Sequence, residues 1–150
     1  MILEKLAQDI VIGDGGAIFE LERRGYVSAG PFTPQVVIEH PEAVRELQTE
    51  FARAGADVIQ ALAYYAHKGK LQDVGLEGAL EEINASAVRI ARGVADEYSL
   101  IVSGNLSNTW VYDPRDAASE KETRQQFDDQ IGYQIGHGVD FFIAETIEYL

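Results

Sequence analysis

Cysteine is absent from this chain of 150 residues, which excludes disulfides, thiolate metal sites and cysteine nucleophiles. Basic residues are scarce: 12 Lys and Arg stand against 25 Asp and Glu, for a formal net charge of −13. Because nucleic acids and anionic membranes are bound through clustered Lys and Arg, neither is expected as a partner. No apolar run approaches the ~18 residues that span a bilayer, and the first residues show no signal-peptide pattern, so we expect a cytoplasmic protein.

Short apolar segments alternate with amphipathic ones along the chain. Four segments have the composition of buried strands, at residues 10–14, 57–63, 100–103 and 139–144. The first helix between them is predicted to begin at Pro41, to bury Val44, Leu47 and Phe51, and to end at Gly55. The second carries an apolar stripe at helical spacing, formed by Leu80, Ile83, Ala87, Ile90 and Val94.

A third helix is predicted before the last strand. Ser119 and Glu122 have the spacing of a capping box at its start. Its apolar side chains at helical spacing, predicted to be buried, are Phe127, Ile131 and Ile135. Gly136 and Gly138 mark its end.

This strand–helix alternation predicts an α/β fold with parallel strands joined by right-handed crossovers. An open doubly wound sheet and part of a (β/α)₈ barrel both fit the pattern. A barrel needs ~250 residues, so four βα units correspond to about half of one. We therefore interpret residues 1–150 as a single partial domain, the N-terminal half of a barrel. Its two edge strands would favour association, either with another copy or with a missing C-terminal half.

Polar residues lie at or just past the end of each predicted strand. These residues are Asp14, Gln60, Asn105 and Glu145. The carboxyl ends of parallel strands meet on one rim, and barrel enzymes place their active sites there. The convergence predicts a binding site at this rim.

An ordered series of motifs along the whole chain resembles the homocysteine S-methyltransferases, in particular the betaine-using branch. The motifs are Gly13-Asp14-Gly15-Gly16, Gly30-Pro31-Phe32-Thr33-Pro34, His40-Pro41-Glu42-Ala43-Val44-Arg45, Ala54-Gly55-Ala56-Asp57-Val58-Ile59-Gln60, Tyr64-Tyr65-Ala66 and Val139-Asp140-Phe141-Phe142-Ile143-Ala144-Glu145. The resemblance implies a (β/α)₈ barrel that moves a methyl group from betaine to the sulfur of homocysteine, giving methionine. It also implies a zinc ion held by three cysteine thiolates in the second half of the barrel, and those ligands are absent from this chain.

The resemblance also implies roles for five residues. Asp14 and Gly15 would contact the amino-acid end of homocysteine, although a tight Asp-Gly turn explains them as well. Glu145 would bind the homocysteine ammonium through a charge-assisted contact. Phe32 and Tyr65 would form aromatic walls for a quaternary ammonium donor, with ordinary packing as the alternative. No residue of this half is expected to be catalytic or to bind metal, the three histidines included.

Two other functions remain open at this stage. A glycoside hydrolase barrel could use Glu145 as its general acid, with a partner carboxylate elsewhere. A non-catalytic half-barrel could pair with itself through its open edges. The methyl donor is also open, because betaine, a sulfonium compound and S-methylmethionine all serve related enzymes.

Overall fold

A computed structural model describes residues 2–28, 30 and 34–148. The helices are α1 (Ile2–Gln8), α2 (Ala17–Arg23), α3 (Val36–Glu39), α4 (Pro41–Ala54), α5 (Lys68–Asp73), α6 (Leu80–Tyr98) and α7 (Ala117–Ile135), with a 3₁₀ turn at Glu77–Ala79. The strands are β1 (Val58–Gln60), β2 (Ile101–Ser107) and β3 (Phe141–Glu145). Phe32 lies outside the described residues, so its predicted role is not addressed by the structure.

The strands form one parallel sheet in the order β1-β2-β3. Val58 pairs with Ile101, and Ser107 pairs with Glu145, so the three strands end at the same edge. A parallel sheet with helical crossovers confirms the predicted α/β class. The described helices include none that combines the length and apolar character needed to cross a bilayer.

The strand predicted at residues 10–14 is wrong in extent, because only one parallel bridge forms there, between Gly13 and Val58. The backbone N–H of Asp14 donates to the Val58 carbonyl, and that of Val58 donates to Ile12. The Ile12 N–H instead donates to the Asp57 carboxylate at 3.0 Å. A side chain therefore takes the place of the backbone acceptor that a neighbouring strand would supply. The segment nevertheless lies beside β1 and delivers Asp14 to the same edge.

The ends of α4 and the buried face of α6 agree with the sequence prediction. Pro41 is the first residue of α4, and Gly55 ends the helix in a left-handed conformation, with φ of 104°. On α6, Ile83, Ala87 and Val94 are fully buried against the sheet and α4. Leu80 and Ile90 pack partly buried at the margin of this core.

The predicted orientation of α7 is wrong. The helix begins after Asp116, whose side chain accepts from the Ala118 N–H, while the Ser119 hydroxyl donates to the carbonyls of Asp113 and Asp116. Its buried side chains include the glutamines Gln126, Gln130 and Gln134. The predicted face is the outer one: Ile135 is 61% exposed, and Phe127 and Ile131 are only partly covered. The glutamine face is preferred because it forms hydrogen bonds to the sheet and to α6.

Candidate functional site

The predicted rim residues converge at the carboxyl edge of the sheet. Gln60 is the last residue of β1, Glu145 is the last residue of β3, and Asn105 lies two residues before the end of β2. Asp14 follows the Gly13 bridge on the other side of β1. Neighbouring parallel strands thus bring together residues that are up to 131 positions apart in the chain.

The Glu145 carboxylate is held by two amide side chains. The same oxygen, Oε1, accepts from Gln60 Nε2 and, at 2.9 Å, from Asn105 Nδ2. Asn105 is 2% exposed, so its amide is fixed within the rim. No donor from the described residues meets the other oxygen of Glu145, which leaves that oxygen available to a ligand.

Asp14 is the second carboxylate of the site. Its Oδ2 accepts from the backbone N–H of Gln60 at 3.0 Å. The pKa of this carboxyl is raised to about 7, mainly by burial and to a smaller extent by the nearby negative charge of Glu145, while bonds from backbone N–H groups act in the opposite direction. Asp14 is therefore poised to gain or lose a proton near neutral pH.

Gln60 connects both carboxylates to the helical layer. Its main-chain N–H binds Asp14, its side chain binds Glu145, and its carbonyl accepts from Gln48 Nε2 at 3.0 Å. Gln48 lies on α4 and is 1% exposed. The role of Gln48 could not be predicted from the sequence, because a glutamine on a helix gives no indication of its hydrogen-bond partner until the neighbouring strand is known.

A cavity of about 220 Å³ opens beside these residues. Its described lining consists of Asp14, Gly15, Gly16, Ala17, Ile18, Phe19, Gln60, Ala61, Leu62, Tyr64, Asn105 and Glu145. The charged side chains in this set are the two carboxylates, so the local potential favours a cationic group. At Gly15 a Cβ atom would lie 3.0 Å from the Phe51 ring, so glycine allows α4 to approach the cavity wall.

Two neighbouring tyrosines lie at this rim, and the predicted donor-binding role of Tyr65 stays a prediction. Tyr64 lines the cavity, whereas Tyr65 is not among its lining residues. The Tyr65 ring packs against Tyr64, with centroids 4.2 Å apart, and meets the edge of His67. The resemblance pointed to Tyr65, and nothing in the sequence indicated that Tyr64 lines the cavity beside it.

Backbone strain is concentrated in the loops that follow the strands. Tyr65, Trp110 and Thr146 have φ of 61°, 61° and 55°, in the left-handed region that non-glycine residues seldom adopt. Each follows a strand by one to five residues. Strained backbone is common where a loop is shaped for binding, and here it lies on the same rim as the two carboxylates.

His67 is a structural residue. It is 1% exposed and immediately precedes α5, and burial lowers its pKa. Its Nδ1 lies 3.1 Å from Oε1 of Gln126. Within residues 2–28, 30 and 34–148, no three His, Cys, Asp or Glu side chains are grouped to hold a metal ion.

Residues 11–150 match the homocysteine S-methyltransferase family. This chain belongs to that family. The resemblance predicted from the ordered motifs is thereby confirmed.

Named relatives in the family support this assignment. Betaine–homocysteine S-methyltransferase 1 of Rattus norvegicus is 45% identical over 156 residues, and that of Danio rerio is 45% identical over 152 residues. The metallated form of the homocysteine methyltransferase MmuM from Escherichia coli superposes with a TM-score of 0.81 at 26% identity.

The matches cover nearly all of this chain and a smaller part of its relatives. The alignment covers 99% of this chain but 37% of the rat protein, and the structural match covers 97% of this chain and 56% of the Escherichia coli chain. The chain thus spans well under two thirds of the length of these family members.

Proposed function

We propose that this chain is the homocysteine-binding part of a homocysteine S-methyltransferase, in the N-terminal half of a (β/α)₈ barrel. The observation that carries the proposal is the pair of carboxylates, Asp14 and Glu145, in a cavity whose described lining contains no basic side chain. The candidate site lies at the carboxyl ends of parallel strands, which is where (β/α)₈ barrels have their active sites. The names of the rat and zebrafish relatives support homocysteine as acceptor and betaine, or a related onium compound, as donor.

Homocysteine carries an α-ammonium group that matches this cavity. The open oxygen of Glu145 would accept from the ammonium, while Gln60 and Asn105 hold the carboxylate in place. Gly15 lies in the wall of the same cavity, backed by the Phe51 ring, where it would meet the amino-acid end of the ligand. Asp14 lies next to this contact, and a bound cation would favour its ionised form.

The chemistry we propose is an in-line methyl transfer. With betaine as donor, the homocysteine thiolate attacks a methyl carbon of the quaternary ammonium, the new S–C bond forms, and the C–N bond breaks with its electron pair retained by nitrogen. The products are methionine and a neutral tertiary amine. The contribution of this chain is to fix both substrates in line, which lowers the entropic part of the barrier.

A metal is part of the family, since one solved relative is described in its metallated form. Zinc, implied by the resemblance to enzymes with cysteine ligands, activates a bound thiol by lowering its pKa. The residues of this chain do not fit that group: cysteine is absent, and the described residues contain no cluster of three suitable side chains. We therefore assign no metal ligand and no metal-dependent step to this chain.

The substitution Glu145→Gln tests the proposed homocysteine contact. It keeps the shape of the side chain and removes the charge that would bind the ammonium. A charge-assisted hydrogen bond contributes about 1.5–3 kcal/mol, so homocysteine affinity should fall roughly ten- to hundredfold. Isothermal titration calorimetry of the purified chain measures this change.

Glu148→Gln is the matched control, because Glu148 is exposed and lies three residues away. It makes the same change in net charge and should leave homocysteine affinity unaltered. Equal affinities for the wild-type chain and Glu145→Gln would show that the carboxylate does not bind the ammonium.

A further inference from the structure

We propose that homocysteine binding displaces a proton from Asp14, so that the ammonium group of the ligand takes the place of that proton in the cavity. This inference rests on the proposed function and adds its regulation, because it makes homocysteine affinity depend on pH near neutrality. The feature that carries it is the pair Asp14 and Glu145, two carboxylates joined through Gln60 in a cavity whose described lining contains no basic side chain.

Asp14 lies between two cavities. On one side is the cavity that it shares with Glu145. On the other side is a cavity of about 210 Å³ between α1 and the sheet, with the described lining Ile2, Leu6, Val11, Gly13, Asp14, Val58, Gln60, Ser103, Phe141 and Ile143. Neither described lining contains a lysine, an arginine or a histidine. The cost of burying the ionised form of Asp14 is therefore not offset by a cation from either lining.

Basic side chains on the neighbouring elements are paired with other carboxylates. Lys5 of α1 lies 3.2 Å from the Asp57 carboxylate. Arg23 at the end of α2 and Arg24 just after it both pair with Glu20. None of these three basic residues lines either cavity. The ammonium of a ligand can therefore supply a cation that the described parts of both linings lack.

The titratable side chains that share a cavity with Asp14 are Glu145 at the end of β3 and Tyr64 after β1. Burial is the main reason that the pKa of Asp14 is raised to about 7, and the negative charge of Glu145 acts in the same direction. Burial also raises the pKa of the Tyr64 phenol, so this group carries no charge at neutral pH. Without a bound cation, Asp14 therefore holds a proton in most molecules below pH 7.

The ammonium of homocysteine changes this balance. A cation bound to Glu145 also lies in the cavity of Asp14, where it favours the ionised carboxylate. The O–H bond of Asp14 breaks, its electron pair stays on the carboxylate oxygen, and the proton passes to water. One positive charge thus replaces another, so the net charge of the buried site does not change. The thiol of homocysteine takes no part in this step.

Homocysteine and the proton then compete for the same site. Affinity therefore rises as pH rises through the pKa of Asp14, and it levels off once the free chain is already ionised. A nearby opposite charge lowers the pKa of a carboxyl by about 1–3. Starting from a pKa of about 7, this predicts an affinity roughly five- to tenfold higher at pH 8 than at pH 6.

The test is isothermal titration calorimetry of the full chain with homocysteine and with L-methionine, which has the same ammonium group but no thiol proton. Each titration is run in phosphate and in ACES. Because these buffers differ in their enthalpy of ionisation, the difference between the two binding enthalpies gives the number of protons released. We expect roughly 0.5–0.8 proton per bound ligand at pH 6.5 and about 0.1 or less at pH 8.

Asp14→Asn should release no proton and should lose the rise in affinity between pH 6 and pH 8. Asp128→Asn, at an exposed position of α7, is the matched control and should release as many protons as the wild-type chain. The inference is overturned if the wild-type chain binds both ligands at pH 6.5 without releasing a proton. Proton release that persists unchanged in Asp14→Asn would overturn it as well.

A measurement on the wild-type chain covers the case in which Asp14→Asn fails to fold or to bind. Carbon-13 NMR of labelled aspartate carboxyls should show one carboxyl that titrates near pH 7 in the free chain and at about pH 6 or below with L-methionine bound. A titration midpoint that the ligand does not move would overturn the inference. Absence of homocysteine binding at every pH would overturn the proposed function as well, whereas binding without proton release overturns this inference alone.

Discussion

At the residue scale, Gln60 is the one described residue that forms hydrogen bonds to both carboxylates of the site. Its backbone and side chain contact Asp14 and Glu145, so the two carboxylates are held close to each other and to the cavity. Burial is the main cause of the elevated pKa of Asp14, and the nearby negative charge of Glu145 acts in the same direction. The charge of Asp14 therefore responds to pH and to a bound cation.

Asp14→Asn should change stability in a pH-dependent way. The folded-state pKa of about 7 lies above the ordinary value of 3.8, so the folded wild-type chain holds a proton that the unfolded chain releases between these values. Wild-type stability therefore falls as pH rises from about 4 to about 7. Because Asn cannot ionise, the variant should gain about 2–4 kcal/mol relative to wild type above pH 7, and this gain should vanish near pH 4.

Urea unfolding across this pH range measures the difference. Asp128→Asn, at an exposed position of α7, is the control and should show no such pH profile. A constant difference between Asp14→Asn and wild type from pH 4 to pH 8 would contradict the account of Asp14.

At the element scale, α7 shows what sequence patterns can and cannot decide. The apolar residues Phe127, Ile131 and Ile135 and the glutamines Gln126, Gln130 and Gln134 form adjacent stripes at the same helical spacing. The helical periodicity predicted the helix correctly, but it also predicted that the apolar stripe is the buried one. The buried stripe is the polar one, because its amides meet backbone and side-chain groups that come from distant parts of the chain.

Gln134 is the key residue of this stripe. Its amide group donates to Asn84 Oδ1 and to the carbonyl of Asn105, and its oxygen accepts from the Asn105 N–H. Gln134→Leu leaves these buried groups without partners, and it should cost about 2–4 kcal/mol of stability. Ile135→Gln, at the neighbouring exposed position, should change stability by less than about 0.5 kcal/mol.

Chemical denaturation of both variants distinguishes the two possible faces of α7. A larger loss for Ile135→Gln than for Gln134→Leu would mean that the apolar face is the buried one. Because Gln134 also supports the backbone of Asn105, its loss should loosen the amide that holds Glu145.

Other features of the molecule also separate into those that local sequence rules predicted and those that depend on tertiary contacts. Local rules predicted α4, since Pro41 and Gly55 set its ends through their own backbone preferences. The rim position of Asp14, Gln60, Asn105 and Glu145 was predicted, because it follows from parallel topology. The hydrogen bonds among them could not be predicted, because they depend on three-dimensional contacts between distant parts of the chain.

At the scale of the whole molecule, the described sheet has two open sides. Gly13 bridges to Val58 of β1, and β3 pairs with β2, while no further strand among the described residues covers either outer side. Several large apolar side chains are exposed, among them Leu3, Leu6, Ile10 and Ile12. These features suit half of a barrel, and association of the isolated chain through its edges stays a prediction.

The central claim is that this rim recognises the amino-acid end of homocysteine by its positive charge. Calorimetry comparing homocysteine with 4-mercaptobutanoate, which lacks only the amino group, tests this claim most directly. We expect homocysteine to bind the wild-type chain at one site and at least about tenfold more tightly than the analogue, because only homocysteine meets the carboxylates of Asp14 and Glu145 with a cation. Equal affinities, or tighter binding of 4-mercaptobutanoate, would contradict it.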